Sequence, residues 1–283
     1  MSKEETRRKE YGHGIPAARR QTEDDPAPEA GREAAVPAPG AGAGQTEFLK
    51  TYIALDTETT GLNPKQDRIM EIGAIRVVDG METAHFQTLV NPHRKLEEQV
   101  SRLTGITDQM LEYAPEMDRA LEDFLDFAGE QPVVGHHILF DFSFLKRAAV
   151  NRQREFERMG VDTLGLCRHF MPRGQRKSLE AACAFYGIRR EGSHRALGDA
   201  RDAHRLFQRL LELYRETEPE AFAPKPLVYK VKREQPASEK QKQGLRDLIK
   251  YHKIDLPLQI DSLSRSEISR LRDRIILQYG RIS

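Results

Sequence analysis

A chain of 283 residues, 38% hydrophobic and 31% charged, has the length of about two domains and enough apolar side chains for one full core. No apolar run approaches the ~20 residues of a membrane helix, and the opening MSKEETRRKEYGHG carries charge without a hydrophobic signal core, so a cytoplasmic protein with no membrane association is expected. Only Cys167 and Cys183 occur, without CxxC spacing, which argues against a disulfide framework or a zinc site and for two small buried residues.

Residues 1–46 are rich in Ala, Pro, Gly and charge, and their lack of apolar side chains predicts disorder. The GAGAG within them follows no strand and opens no helix, so it does not read as a phosphate loop. An ordered domain is expected over 47–217. TYIALDTE reads as a buried strand, RIMEIGAIRVVDG as a second and TAHFQTLVNP as a third, with an Asp79-Gly80 turn between the last two: an antiparallel three-strand meander. Thr107 can cap a short helix, and MDRALEDFLDFAG repeats Leu121, Phe124, Leu125 and Ala128 at helical spacing. PVVGHH is a short strand, followed by a helix whose Phe140, Phe144 and Leu145 are spaced as core residues. VDTLGL reads as a strand, SLEAACAFYG as a helix ending at Gly187, and 196–214 as a long helix. Three strands and then alternating helix and strand imply an α/β fold, a mixed sheet with helices on both faces.

Residues 218–237 contain Pro219, Pro224, Pro226 and Pro236 and read as a linker. Residues 238–283 read as a small helical module. Ser238 with Gln241, and Ser264 with Glu267, form capping-box patterns before two amphipathic helices that present Leu245, Leu248 and Ile249, and Ile268, Leu271, Ile275 and Tyr279. A core of this size is marginal unless it docks elsewhere.

The chemistry is concentrated in three frames. Asp56 and Glu58 lie in YIALDTETTGL, Asp141 in VVGHHILFDFSFL, and His194 with Asp199 in SHRALGDARDA. Side chains two apart on a strand share a face, so Asp56 and Glu58 can hold one cation together. Four carboxylates gathered without bases repel one another, and a fold that collects them neutralises the cluster with metal. Hard divalent ions prefer oxygen ligands, and two of them about 4 Å apart can clamp both oxygens of a phosphodiester displacement.

The set of frames resembles the DnaQ-like 3′-to-5′ exonucleases of the DEDDh type over about residues 48–215. The connecting text MEIGAIRV, VDTLGLCRHF and KSLEAACAFYGI is similar too. The resemblance implies a ribonuclease-H-like fold and two Mg²⁺ or Mn²⁺ ions. Asp56 would bridge them, Glu58 and Asp199 would complete the coordination of the first ion, and Asp141 would hold the second ion directly or through water. It makes His194 the general base, a task suited to an imidazole that ordinarily titrates near pH ~6.5. It places Thr59, Gly61 and Leu62 at the terminal nucleotide, with His136 supporting the site. The chain departs from the family at His137, where Asn is common, so contacts of that Asn are not carried over.

The expected activity is release of nucleoside monophosphates from single-stranded ends, DNA before RNA, in proofreading, repair or end trimming. A DNA polymerase or another replication or repair protein is the expected partner. RNA 3′-end trimming is the alternative within the class, since the motifs do not encode contacts to a 2′-hydroxyl. A nucleic-acid-binding replication scaffold would be favoured by loss of a catalytic residue, and none is lost. Charge is uneven: residues 48–224 hold 24 Lys and Arg against 28 Asp and Glu, whereas 225–283 hold 14 against 7. The basic tail is therefore expected to add affinity for phosphates by counterion release, a solvated surface being the alternative.

Overall fold

The computed structural model describes residues 49–190, 194–256 and 259–282, so the segment expected to be disordered, with its GAGAG run, lies outside the described residues. Strands β1 (Tyr52–Thr59), β2 (Ile69–Val78) and β3 (Met81–Leu89) form the antiparallel meander. Asp79 and Gly80 turn β2 into β3 with φ of 52° and 80°, the left-handed pair that a tight hairpin demands. Helices α1 (Glu98–Thr104), α2 (Asp108–Glu112) and α3 (Met117–Ala128) follow. The Thr107 hydroxyl caps α2 by accepting from the Met110 amide at 3.3 Å.

Strand β4 (Val133–Gly135) runs parallel to β1, helix α4 (Ile138–Asn151) crosses the sheet, and β5 (Met159–Asp162) runs parallel to β4. Helices α5 (Thr163–Phe170), α6 (Leu179–Phe185) and α7 (Ala196–Tyr214) come next, and a two-residue edge strand, β6 (Lys225–Pro226), pairs antiparallel with β5. The six strands lie in the order β3-β2-β1-β4-β5-β6.

Alternation along β1 divides the interior. Tyr52 and Ala54 pack with Leu206, Phe207 and Leu210 of α7, while Ile53 and Leu55 pack with Leu121 and Phe124 of α3 and Phe142 of α4. With helices on both faces the middle strands are buried on both sides, as the apolar run YIAL suggests. Cys167 and Cys183 are free and fully buried in the α7 layer, and burial raises both thiols to about 12. Among the described residues no helix is long and apolar enough to cross a membrane.

Two expectations are revised. VDTLGL is not one strand: it stops at Asp162, whose carboxylate accepts from the Leu164 amide at 3.0 Å and starts α5. The segment 218–237 is also more than a linker. Pro219–Phe222 forms a 3-10 turn that buries Phe222 against Phe170, and Leu227 lies over Gly160, where a Cβ would come within 2.8 Å of its side chain. Pro226 is tolerated because β6 is an edge strand.

Helices α8 (Glu239–His252) and α9 (Arg265–Tyr279) carry both expected capping boxes and bury Leu245, Leu248, Leu263, Ile268 and Ile275 against one another. Polar contacts join them and their lead-in to the rest of the fold. Glu267 meets Arg68 at 2.5 Å, Glu234 meets Arg147 at 2.5 Å, and the Gln259 side chain meets the His93 ring at 2.9 Å.

Candidate active site

Asp56 and Glu58 continue the Tyr52–Ala54 series on β1, so their side chains face α7. Asp199, in the first turn of α7, faces them, and one carboxylate oxygen from each of the three lies within 4.8 Å of the others. Thr57 belongs to the opposite series and faces α4. Its amide and its hydroxyl each donate to Asp141 Oδ1 at 2.8 Å, which fixes Asp141 beside β1. Segments far apart in sequence are thus joined at one end of β1.

Two residues of β2 make this approach possible, and neither was singled out from the sequence. Gly73 pairs with Asp56 across the sheet, and a Cβ there would stand 2.1 Å from the Leu197 nitrogen and 2.2 Å from the Ala196 carbonyl carbon. Only glycine lets the start of α7 lie this close to the sheet. Glu71, paired with Glu58 and fully buried, accepts from the Arg195 side chain at 2.7–3.2 Å and from the Ala196 amide at 3.1 Å. It pins the turn that carries His194 and Asp199. The available signal was a charged residue inside the apolar run IMEIGAI, since a buried carboxylate must be paired. Arg190 adds a cation, pairing with Asp199 and donating to Asp202 at 2.7 Å.

The electrostatics are those of a site short of positive charge. Burial, followed by the charges of Asp141, Glu58, Asp199 and Glu71, holds the Asp56 carboxyl well above its ordinary value. Burial and then Asp199 and Glu71 raise Glu58 to about 8. Burial raises Asp141 to about 7 against the opposing Thr57 hydrogen bonds, and it raises Asp199 despite Arg190 and the His194 amide. An all-oxygen, charge-dense cluster of this kind fits a hard divalent cation.

His194 has a left-handed backbone, φ 59°, and its amide donates to Asp199 Oδ2 at 3.1 Å. No hydrogen bond to its ring is formed among the described residues. The Thr59 hydroxyl donates to the Gly61 carbonyl at 2.7 Å, and a Cβ on Gly61 would come within 2.5 Å of the Asp67 carboxylate, so this glycine answers to the fold of the following loop. Leu62, four residues beyond Glu58 in sequence, is 70% exposed.

His136 is committed inside the protein: Nδ1 lies 3.0 Å from Thr163 Oγ1 and Nε2 lies 2.8 Å from the Lys177 carbonyl. Both nitrogens are used, so its part is to tie β4 to α5 and the loop before α6. His137 takes a left-handed conformation, φ 71°, and its amide donates to Asp162 at 2.7 Å. Asn and His are both enriched in that conformation, which gives a backbone reason for the exchange at this position. His204 bonds the Tyr52 hydroxyl at 2.8 Å and His169 pairs with Glu218, so both are structural. In the loop 173–177, Lys177 donates to the Pro172 and Gln175 carbonyls.

Residues 53–207 match the exonuclease family RNase_T. Relatives include the DNA polymerase III subunit epsilon of Aquifex aeolicus, 34% identical over 163 residues that make up 57% of this chain and 81% of that one. The PolC-type DNA polymerase III of Thermotoga petrophila is 36% identical over 165 residues, 58% of this chain but only 12% of that polymerase. The chain therefore spans about an eighth of the PolC-type relatives it matches. Among solved structures, Escherichia coli exonuclease I in complex with a dT13 oligonucleotide superposes with a TM-score of 0.52 at 17% identity, covering 61% of this chain and 42% of that one, a likeness of fold. A match across more than half the chain, together with a one-third-identical relative matched over four fifths of its length, means that the chain belongs to the RNase_T exonuclease family.

Proposed function

We propose that the chain is a metal-dependent 3′-to-5′ exonuclease of the DEDDh type, releasing nucleoside monophosphates from single-stranded DNA ends in proofreading, repair or end trimming. The observation that carries this reading is the convergence of Asp56, Glu58 and Asp199 within 4.8 Å. Their ionised forms are disfavoured until a cation joins them. These three would hold one Mg²⁺ or Mn²⁺, and Asp141 would hold a second directly or through water. When bound, such ions supply Lewis-acid stabilisation of the charge that develops on the scissile phosphodiester.

The remaining work falls to the chain's own side chains. His194 accepts the proton of the attacking water at an imidazole nitrogen, as general base. Glu71, through Arg195, holds the turn that presents this ring, and Thr57 keeps Asp141 in register with β1. Thr59, Gly61 and Leu62 receive the terminal nucleotide, Leu62 laying its exposed apolar side chain against the last base. DNA is favoured as substrate, and a DNA polymerase or another replication or repair protein as partner, because the Aquifex relative is by name a subunit of a DNA polymerase.

The test is hydrolysis of end-labelled single-stranded DNA and RNA of matched sequence with Mg²⁺ or Mn²⁺, comparing wild type with Asp56→Ala. DNA should shorten from its 3′ end with release of mononucleotides, and the variant should be inert. Strong preference for RNA would overturn the DNA assignment, and full activity in EDTA would overturn the metal scheme.

A further inference from the structure

The loop that leaves β1 ends against α9. Within it the Asn63 amide donates to Asp67 at 2.9 Å, and the amides of Gln66 and Asp67 return to the Asn63 carbonyl at 2.9 and 2.8 Å. Arg68 closes it: its carbonyl accepts from the Thr60 amide at 2.9 Å and its amide donates to the Thr60 hydroxyl at 3.0 Å. From the other side Glu267 of α9, only 7% exposed, binds the Arg68 guanidinium while its second oxygen caps α9 at the Ser264 amide, 2.9 Å away. Arg270, one turn further along α9, donates to the Lys65 carbonyl at 3.2 Å.

Between loop and helix lies a cleft of about 130 Å³ bordered by Gln66, Arg94, Arg270 and Arg274 above Leu263 and Leu271. Its charge is unbalanced. Glu267, the acid in it, is engaged by Arg68 and lies 3.9 Å from Arg94, and Arg270 and Arg274 have no carboxylate partner among the described residues. Arginine forks held near a backbone scaffold suit tetrahedral oxyanions. Gly61 and Gln66 are five residues apart, so they are separated by at most about 18 Å, and the turn at Asn63 shortens that span. A single strand of the ~4–16 nucleotides typical of such grooves reaches across both.

We propose that this seam is a phosphate-binding subsite for the nucleic-acid strand whose 3′ end occupies the carboxylate centre. The α8–α9 module then belongs to the substrate path. The inference rests on the exonuclease reading for the placement of that 3′ end.

Binding of 5′-fluorescein-labelled dT20 is measured by anisotropy in EDTA across a salt series, for the full chain and for Arg270→Ala/Arg274→Ala. Two lost phosphate contacts should reduce the slope of log affinity against log salt by about 1.4, at ~0.7 per phosphate of a single strand. Arg270→Lys/Arg274→Lys should retain the slope. Lys240→Ala/Lys250→Ala, which removes two exposed α8 cations outside the cleft, should change it by less than half as much. An unchanged slope in the alanine pair, or an equal loss in the α8 control, overturns the subsite. Turnover of unlabelled dT20 with Mg²⁺ is scored separately on wild type. An active wild type with an unchanged slope sinks the seam alone, whereas an inactive wild type sinks the exonuclease reading.

Discussion

The carboxylate centre and the C-terminal helices are held by opposite physics. The centre sits where β1, α4 and α7 meet, on a sheet with apolar side chains packed on both faces, and that packing holds together acidic groups that resist ionisation. The module has a small core of its own, and polar links at Arg68, Arg147 and His93 tie it to the main domain. The first arrangement is costly locally and rigid, as a site that must place charges accurately requires. The second hangs on a few ion pairs whose carboxylates are largely buried, so that removing one partner leaves a charge uncompensated.

The contrast can be broken at graded points. His194→Ala should slow hydrolysis by about 10²-fold or more with metal binding largely retained, as judged by single-turnover rates beside Mn²⁺ titration. A wild-type rate would remove the ring from the chemistry. Gly73→Ala forces a methyl into the backbone of α7, so its cost should reach or exceed the ~1–3 kcal/mol of overpacking, read as a lower melting temperature together with lost turnover. A fully stable, active variant would mean that α7 can retreat without disturbing Asp199.

Acidity offers a gentler probe. Asp141 and Glu58 are raised to about 7 and about 8, so the metal-free fold favours their neutral forms. That contribution is complete below the ordinary carboxylate range and disappears as pH rises through the folded values. The melting temperature of the metal-free protein should therefore fall between pH 5 and pH 8.5, and Mg²⁺ or Mn²⁺ should restore part of the loss at the alkaline end. A flat profile without metal would contradict the described crowding. Smallest in its effect on the carboxylate centre, Glu267→Ala removes the reciprocal half of the α9 capping box and the partner of Arg68 while the Ser264 cap stays in place. Amide exchange in α9 should quicken while β1 and β2 remain as protected as before. Equal loosening of all three would show one cooperative unit.

The meander, the long α7 and both capping boxes were legible because each rests on local signals: alternation, a left-handed turn pair, or a hydroxyl three residues before an acceptor. The candidate acids and His194 were legible because their frames occur in a fixed order. What stayed hidden is tertiary. Gly73 matters for what lies above it, Glu71 for the arginine that reaches it from 124 positions away, and Thr57 for an aspartate on another element. The segment after Pro219 misled for a similar reason, since its prolines announce a break in pattern but not that Phe222 and Leu227 return to the core.

The central claim is that Asp56, Glu58 and Asp199 share a cation. Calorimetric titration of the full chain with Mn²⁺, beside Asp56→Asn, Glu58→Gln and Asp199→Asn, tests it most directly. Two ions per chain in wild type, with binding weakened at least about tenfold in each variant, is the predicted result. Wild-type affinity in all three variants would contradict it.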